Sequence, residues 1–245
     1  MNETLLQIFQ RKSIRQYKAA PLSPDDKSSI INAAIQAPTA GNMTLYTIID
    51  VTDQGLKDKL AITCDNQPFI AKAPMILIFC ADYKRWYDVF LKDSADTRKP
   101  DVGDLFLAMS DTFIAAQNSV AAAESLGVGS CYIGDILENY ETHRDILLLP
   151  KYVLPVCMLC FGYPADGQLC RRKPERLLPE DIVHSNGYDV IKSSHMTEML
   201  TKRGHFSNSE EFDSWLTAFR LRKWDSQFSI EMSRSVNEML KSWTE

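Results

Sequence analysis

The sequence predicts a mixed fold of helices and strands around one large core, with a helical C-terminal extension. Three observations predict it. Four apolar runs of strand length, Tyr46 to Thr52, Met75 to Ala81, Ser130 to Ile133 and Val153 to Gly162, alternate with segments of helical period. Asp104 to Leu126 is a long pattern that is apolar on nearly every side, as in a helix buried in a core or at a subunit interface. From Val190 to Glu245 no strand signal remains, and two or three amphipathic helices carry Trp215, Trp224 and Trp243. With 245 residues and 45% hydrophobic content the chain can bury such a core, and length alone allows one or two domains. No internal repeat or low-complexity linker divides it. Residues 1–245 are therefore read as a single domain, with a body to about residue 188 and an extension over about 189–245 that could wrap the body or a partner subunit.

The elements follow in order. Leu5, Leu6, Ile8 and Phe9 give one short helix. Ser23-Pro24-Asp25-Asp26 starts the next: Ser23 can cap, Pro24 fits the first helical position, and two Asp residues suit the positive end of the helix dipole. Ile30, Ile31, Ala34 and Ile35 form its expected buried stripe, and Pro38 stops it near Ala37. Ala37 to Met43 is a loop of small and polar residues that a backbone or flat ligand could approach closely, or an ordinary helix-to-strand turn. A short helix, Leu56 to Cys64, precedes the polar break Asp65 to Phe69. Lys84 to Pro100, charged and aromatic, reads as a surface helix or a lid. Gly127 ends the long helix. Tyr140 to Leu149 is helical. Gly127-x-Gly129 follows a helix rather than a strand, so it is not a dinucleotide fingerprint.

Bulk properties exclude some functions. The formal net charge of −5 argues against a general nucleic-acid or membrane-surface binder, since those carry a basic excess. The N-terminus lacks a basic segment followed by an apolar one, so no signal peptide is expected. The most apolar run, Pro74 to Ala81, is far short of the roughly 18 residues of a membrane span. Of six cysteines, Cys157 and Cys160 spell CxxC, but three residues apart on a strand they point to opposite faces. Buried reduced thiols and a cytoplasmic location are expected. His143, His184, His195 and His205 show no metal-ligand spacing, and no metal is expected.

Two basic clusters stand out. Arg11-Lys12-Ser13-Ile14-Arg15-Gln16-Tyr17-Lys18 holds four cations and no anion, in a chain that is acidic overall. Arginine forks, a lysine point charge and a serine hydroxyl suit a phosphate; a solvated basic edge is the alternative. Arg171-Arg172-Lys173-Pro174-Glu175-Arg176 holds four cations and one anion, and reads equally as a solvated loop.

With these residues in view, the chain resembles the FMN-dependent nitroreductase family, in particular its NADPH-dependent nitroreductase and flavin reductase branch. The resemblance runs over nearly the whole length. It comprises the Arg-Lys-Ser-Ile-Arg-x-Tyr start, the Ala-Pro-Thr-Ala-Gly-Asn loop, and Gln67 after a short helix. The long helix ending Ala-Ala-Glu-Ser-Leu-Gly-Val-Gly follows, then the Tyr132-Ile133-Gly134 turn, the strand ending Phe161-Gly162-Tyr163-Pro164, and the basic loop before Val183-His184. Their order and spacing, rather than any one of them, carry the likeness.

The resemblance implies an α+β subunit with a nitroreductase-like central mixed sheet flanked by helices and a C-terminal helical extension. It also implies a homodimer with FMN at the interface. By that likeness Arg11, Lys12, Ser13 and Arg15 hold the FMN phosphate, ribityl chain and ring edge, with Arg15 or Lys12 as electrostatic tuner of the reduced flavin. Gln67, Tyr132, Ile133, Gly134 and Asp135 line the isoalloxazine. Pro38, Thr39, Ala40 and Asn42 reach it from the other subunit. The family's Lys-Pro-Arg phosphate segment corresponds to Lys173-Pro174-Glu175-Arg176, with one extra residue, so Lys173 and Arg176 are chosen and Arg172 stays open. Asp135 stands where relatives often have a second glycine, and an anion there would oppose flavin reduction unless it points away.

Lys202 and Arg203 correspond to the branch's reader of the NADPH 2′-phosphate; a cationic helix end is the alternative. Ser207-Asn208-Ser209 replaces a further arginine, so NADH use is open. The implied activity is NAD(P)H oxidation with reduction of nitroaromatics, quinones or free flavins in a ping-pong cycle. In it the cofactor carries the hydride, and no acid–base residue of the protein is required. Other flavin chemistry on the same fold, such as dehalogenation or ene reduction, or flavin binding without turnover, are the alternatives.

Overall fold

Apolar residues at successive strand positions, rather than at alternate ones, give this protein its central strands. A computed structural model describes residues 1–190, 195–204 and 206–245. His205 and residues 191–194 of the expected tail lie outside the described residues. Four strands, β1 (Tyr46–Asp50), β2 (Met75–Asp82), β3 (Gly129–Ile133) and β4 (Val153–Gly162), form one sheet in the order β1-β2-β4-β3. Every residue of β2 and β4 is buried. All three ladders are antiparallel. The only parallel pairing among the described residues is an isolated bridge, Ser13 to Ser130, on the free edge of β3. Register shifts between Phe79 and Cys80, where Cys80 faces Pro155. A proline has no N–H for a ladder, so a bulge is where a central strand can accept one.

Successive residues serve opposite layers. Ile76, Ile78, Cys80, Met158 and Cys160 pack into one core, with Leu60 of α3 (Gln54–Thr63) and Ile70 of α4 (Pro68–Ala71). Leu77, Phe79, Cys157, Leu159 and Phe161 pack into the other. There they meet Ile30 and Ala34 of α2 (Pro24–Ile35) and Ala116, Val120 and Ala123 of α6 (Val102–Ser125). The two CxxC thiols therefore lie on opposite faces, as the spacing predicts. A third core at one end joins Leu45, Leu105, Tyr140 and Leu154 to Met239 and Trp243.

The helix signals act as read. Asn2 caps α1 (Glu3–Gln10), Ser23 caps α2 with Pro24 in its first turn, and Asp101 with Asp104 forms a capping box for α6. Ile35 departs from the expected stripe and is 52% exposed, since α2 ends there. The expected helix over Tyr140 to Leu149 closes early, as α7 (Tyr140–Ile146). Lys84 to Pro100 provides α5 (Lys84–Asp93). Its Arg85 donates to the Thr44 carbonyl (2.8 Å) and its Trp86 Nε1 to the Met43 carbonyl (2.6 Å), which ties it to the loop before β1.

The chain divides into two compact units: Met1–Arg171 with Glu231–Glu245, and Arg172–Ile230. The division falls ahead of the expected one near residue 188, at the start of the basic loop. The chain's last stretch also belongs with the first unit rather than with an extension. In α11 (Gln227–Thr244), Ser235 accepts from the Tyr140 N–H (2.9 Å) and the Trp243 indole donates to the Asp101 carbonyl (3.1 Å). The second unit holds α8 (Pro179–Ile182), α9 (Met196–Gly204) and α10 (Ser209–Lys223), where Phe206, Phe212 and Trp215 pack ring on ring. Among the described residues no helix is long and apolar enough to cross a membrane.

Candidate functional site

The first basic cluster is pinned to the sheet by its backbone, which leaves its side chains available. The Ile14 N–H donates to the Ser130 carbonyl (2.9 Å) and the Lys18 N–H to the Tyr163 carbonyl (2.8 Å). Two glycines make this close approach possible. A Cβ on Gly129 would lie 2.6 Å from Ile14 Cγ1, and one on Gly162 would lie 2.7 Å from the Tyr17 ring. Extended backbone alternates sides. Ile14 is buried, at 1% exposure, while Ser13 and Arg15 flank it with more exposure.

The side chains differ in what they do. Among the described residues no salt bridge engages Arg11, Lys12 or Arg15. Arg11 Nε is buried with no hydrogen-bond partner, a donor that ordinarily demands one. Arg15 holds its guanidinium carbon 5.9 Å from the centre of the Phe69 ring, two residues beyond Gln67. Burial pushes the Cys131 thiol's pKa up, and the nearby Arg15, Ser13 and Arg11 pull it back down. Lys12 is committed elsewhere: its ammonium donates to the carbonyls of Leu169 and Arg171 (2.6 Å to the latter), fixing the stretch after β4.

At the other end of β3, Gly134 opens a 3-10 turn, Gly134–Leu137. A Cβ there would meet nothing within 4 Å, so its backbone faces open space. Ile133 is buried at 2% exposure, so only its backbone could touch a ligand. The Tyr132 hydroxyl is 3.4 Å from Gln117 Oε1. Gln67 and Asp135, both expected at the site from the family resemblance, bond each other: Gln67 Nε2 donates to Asp135 Oδ2 (2.9 Å) and to the Cys64 carbonyl (3.0 Å).

The loop predicted to reach a second subunit contains a 3-10 turn, Ala40–Asn42. Pro38 and Asn42 are exposed. The Thr39 hydroxyl turns inward, donating to Asp111 and accepting from the Thr44 N–H (2.7 Å). Asp111 was missed in the sequence. It is 3% exposed and also accepts from the backbone N–H groups of Ala40 (3.1 Å) and Leu45 (3.3 Å). Its only signal is a carboxylate set among the apolar residues of α6. Glu138 was missed too. It is 4% exposed, its Oε1 has no partner, and burial with Asp135 beside it pushes its pKa up to about 8.

The remaining candidates belong to the second unit. Arg172 pairs with Glu175, and Arg176 Nη1 is 3.4 Å from the Pro174 carbonyl. Arg203 is bound to Asp181 and to the Arg176 carbonyl, with little of the pair exposed. Lys202 makes an exposed pair with Glu198 four residues earlier (2.7 Å). Arg172, Lys173 and Arg203 line one cleft of about 330 Å³.

The first unit thus presents two arginines without carboxylate partners, an orphaned guanidinium nitrogen, a paired Gln67 and Asp135, and open backbone at Gly134. This donor set fits an anionic, flat cofactor such as FMN.

Comparisons with known proteins agree. A model of the nitroreductase family matches residues 8–163. The chain is 36% identical over 191 residues to the oxygen-insensitive NADPH nitroreductase of Salmonella typhimurium, covering 78% of this chain and 77% of the relative. It is 34% identical over 227 residues to an FMN reductase (NAD(P)H) of Bacillus subtilis, covering 88% of each. The structure of the NADPH:FMN oxidoreductase of Vibrio harveyi complexed with NAD+ superposes with a TM-score of 0.78 at 25% identity, over 98% of both chains. The chain belongs to the nitroreductase family.

Proposed function

We propose that this protein is an FMN-dependent NAD(P)H oxidoreductase that reduces nitroaromatics, quinones or free flavins. The observation that carries the reading is the first basic cluster, with its arginines unpaired by carboxylates and Arg11 Nε buried without an acceptor. A phosphate supplies the missing acceptor, and hydrogen bonds between charged groups are the stronger kind. Bound FMN supplies two-electron transfer between the nicotinamide and the acceptor. The chain's own residues bind and orient. Arg11 and Ser13 take the phosphate, and Arg15 places positive charge near the ring edge. Gln67 has Nε2 engaged twice, so its Oε1 remains to accept from a ring N–H. Gly134 admits the ring plane. Lys12 acts through the backbone it holds, rather than through the cofactor.

The active species in this reading is a homodimer. Four apolar residues of α6 (Phe106, Leu107, Phe113, Ile114) and four of α1 (Leu5, Leu6, Ile8, Phe9) are each at least 40% exposed. An apolar area of that kind suits a second copy. Pro38, Ala40 and Asn42 would then approach the partner's flavin, with Thr39 kept back by Asp111. Thiols set on opposite faces of β4 cannot bridge, in keeping with a reducing, cytoplasmic compartment.

For the dinucleotide phosphate, Lys202 is the better candidate of the pair. Its ion pair with Glu198 is fully exposed and readily exchanged, whereas Arg203 is already neutralised by Asp181. The test is NADPH and NADH oxidation by FMN-loaded protein against a nitroaromatic, a quinone and free FMN. Turnover of at least one acceptor is expected; rapid NAD(P)H oxidation by none of them overturns the reading. Sedimentation showing a flavin-loaded monomer would overturn the dimer.

A further inference from the structure

We propose that Glu138 and Asp135 share one proton, and that this carboxyl pair, acting through Gln67, sets the charge presented to the cofactor beyond β3. The inference rests on the flavin reading above. It answers the question that Asp135 raises in the sequence, an anion where a flavin must accept electrons.

Glu138 is buried, and its Oε1 has neither a donor nor a cation. Its N–H donates to the Asp135 carbonyl (3.0 Å), so the two residues stand three apart on one 3-10 turn, where side chains at that spacing eclipse, and the charge of Asp135 adds to burial in raising the pKa of Glu138. Two ionised carboxylates cannot bond each other; one carboxylic acid donating to one carboxylate can. The other charged groups acting on Glu138 are also acidic: Asp65, after α3, and Glu231, in α11. Glu231 is tied to Arg234 (2.8 Å) and to the Asn139 N–H (3.2 Å), and Arg234 also serves Glu141 (2.9 Å), so that arginine is already shared between two carboxylates. His143 of α7 is buried and held neutral, its ring bonded to the Ile136 carbonyl (3.0 Å) and the Thr63 hydroxyl (2.8 Å). The Cys64 thiol is also kept protonated by burial. Among the described residues no three His, Cys, Asp or Glu are arranged to hold a metal in place of the proton.

Asp135 passes the effect on, since its Oδ2 accepts from Gln67. With Glu138 protonated, the pair carries one negative charge, and Gln67 stays fixed on Asp135 Oδ2 with its own Oε1 free. With Glu138 ionised, two adjacent carboxylates repel and the site gains a second negative charge. Adding electrons to a bound flavin then favours drawing one further proton from water onto Glu138. Glu138 is a positioning residue in this scheme, acting through Asp135 and Gln67.

The experiment has two readouts. Infrared spectra of the protein at about pH 7 should show a protonated carboxylic acid that is absent in Glu138→Gln and titrates away in wild type near pH 8. In the FMN-loaded protein the flavin midpoint potential should fall more steeply with pH above about 8, and Glu138→Gln should lose that steepening while keeping NADPH-driven reduction. The folded protein holds this proton more tightly than the unfolded chain does. Thermal stability should therefore fall as pH rises from the ordinary glutamate range to about 8, and the variant should flatten that fall. Absence of the carboxylic acid band in wild type overturns the shared proton, with or without flavin. Parallel potential profiles for wild type and variant overturn the coupling. Should Glu138→Gln not fold, the wild-type titration and Asp135→Asn decide. A protein that shows the acid band but takes up no FMN instead defeats the flavin reading alone.

Discussion

Two stretches of this chain have nearly the same charge composition and opposite fates. Arg11 to Lys18 has four cations and no anion, and among the described residues its arginines have no carboxylate partners. Arg171 to Arg176 also has four cations, yet Glu175 neutralises Arg172, and Asp181 neutralises the nearby Arg203. In the first, the backbone is held by the free edge of β3, so the two arginines need not stabilise the fold. In the second, Arg172 is paired within its own exposed loop, and Arg203 is paired with Asp181 in the same unit. Density of positive charge does not mark an anion site. Charge held in place by something other than an anion does.

Substitutions can break this comparison, the largest effect first. Arg11→Ala removes a charge-assisted contact worth about 1.5–3 kcal/mol. FMN affinity should fall roughly 10- to 100-fold by fluorescence titration, and Arg15→Gln should both weaken retention and slow reduction by NADPH. Unchanged affinity in both would return the cluster to solvated charge. Gly129→Ala drives a Cβ into Ile14 and should cost about 1–3 kcal/mol by denaturant titration, with FMN affinity falling alongside because the cations move with the segment. Full FMN affinity in a destabilised Gly129→Ala would uncouple the sheet edge from the site.

Arg203→Ala strips Asp181 of its partner. It should lower stability by about 1–2 kcal/mol, a value reduced for the part of the pair that remains exposed. FMN affinity and the ratio of NADPH to NADH efficiency should stay within about twofold, which corresponds to about 0.4 kcal/mol. A collapse of the NADPH preference would restore Arg203 as the phosphate reader. The smallest effect belongs to Arg172→Ala, where an exposed pair is lost; a change under about 1 kcal/mol is expected in melting experiments.

The sequence was most legible where one local rule decides. The cap at Ser23, the length of β4 and the opposed thiols of Cys157 and Cys160 each follow from spacing alone. Gln67, Gly134 and Asp135 came from the family pattern, and the structure adds the bond between Gln67 and Asp135 across 68 positions. Glu138 and Asp111 were not legible, because what sets them apart is burial and partners distant in sequence. Asp111 receives the loop before β1 from the middle of α6. Glu138 looks like any surface glutamate until its burial and the nearby Glu231 of α11 are seen. The place of that last helix was hidden for the same reason: Trp243 could as well have faced a partner as the Asp101 carbonyl it bonds.

The most direct test of the central claim is an absorbance spectrum of gently purified protein, taken before and after anaerobic NADPH. Flavin bands that bleach when NADPH is added are expected, as for any protein-bound flavin that accepts hydride. A colourless protein that also fails to take up added FMN would contradict the account.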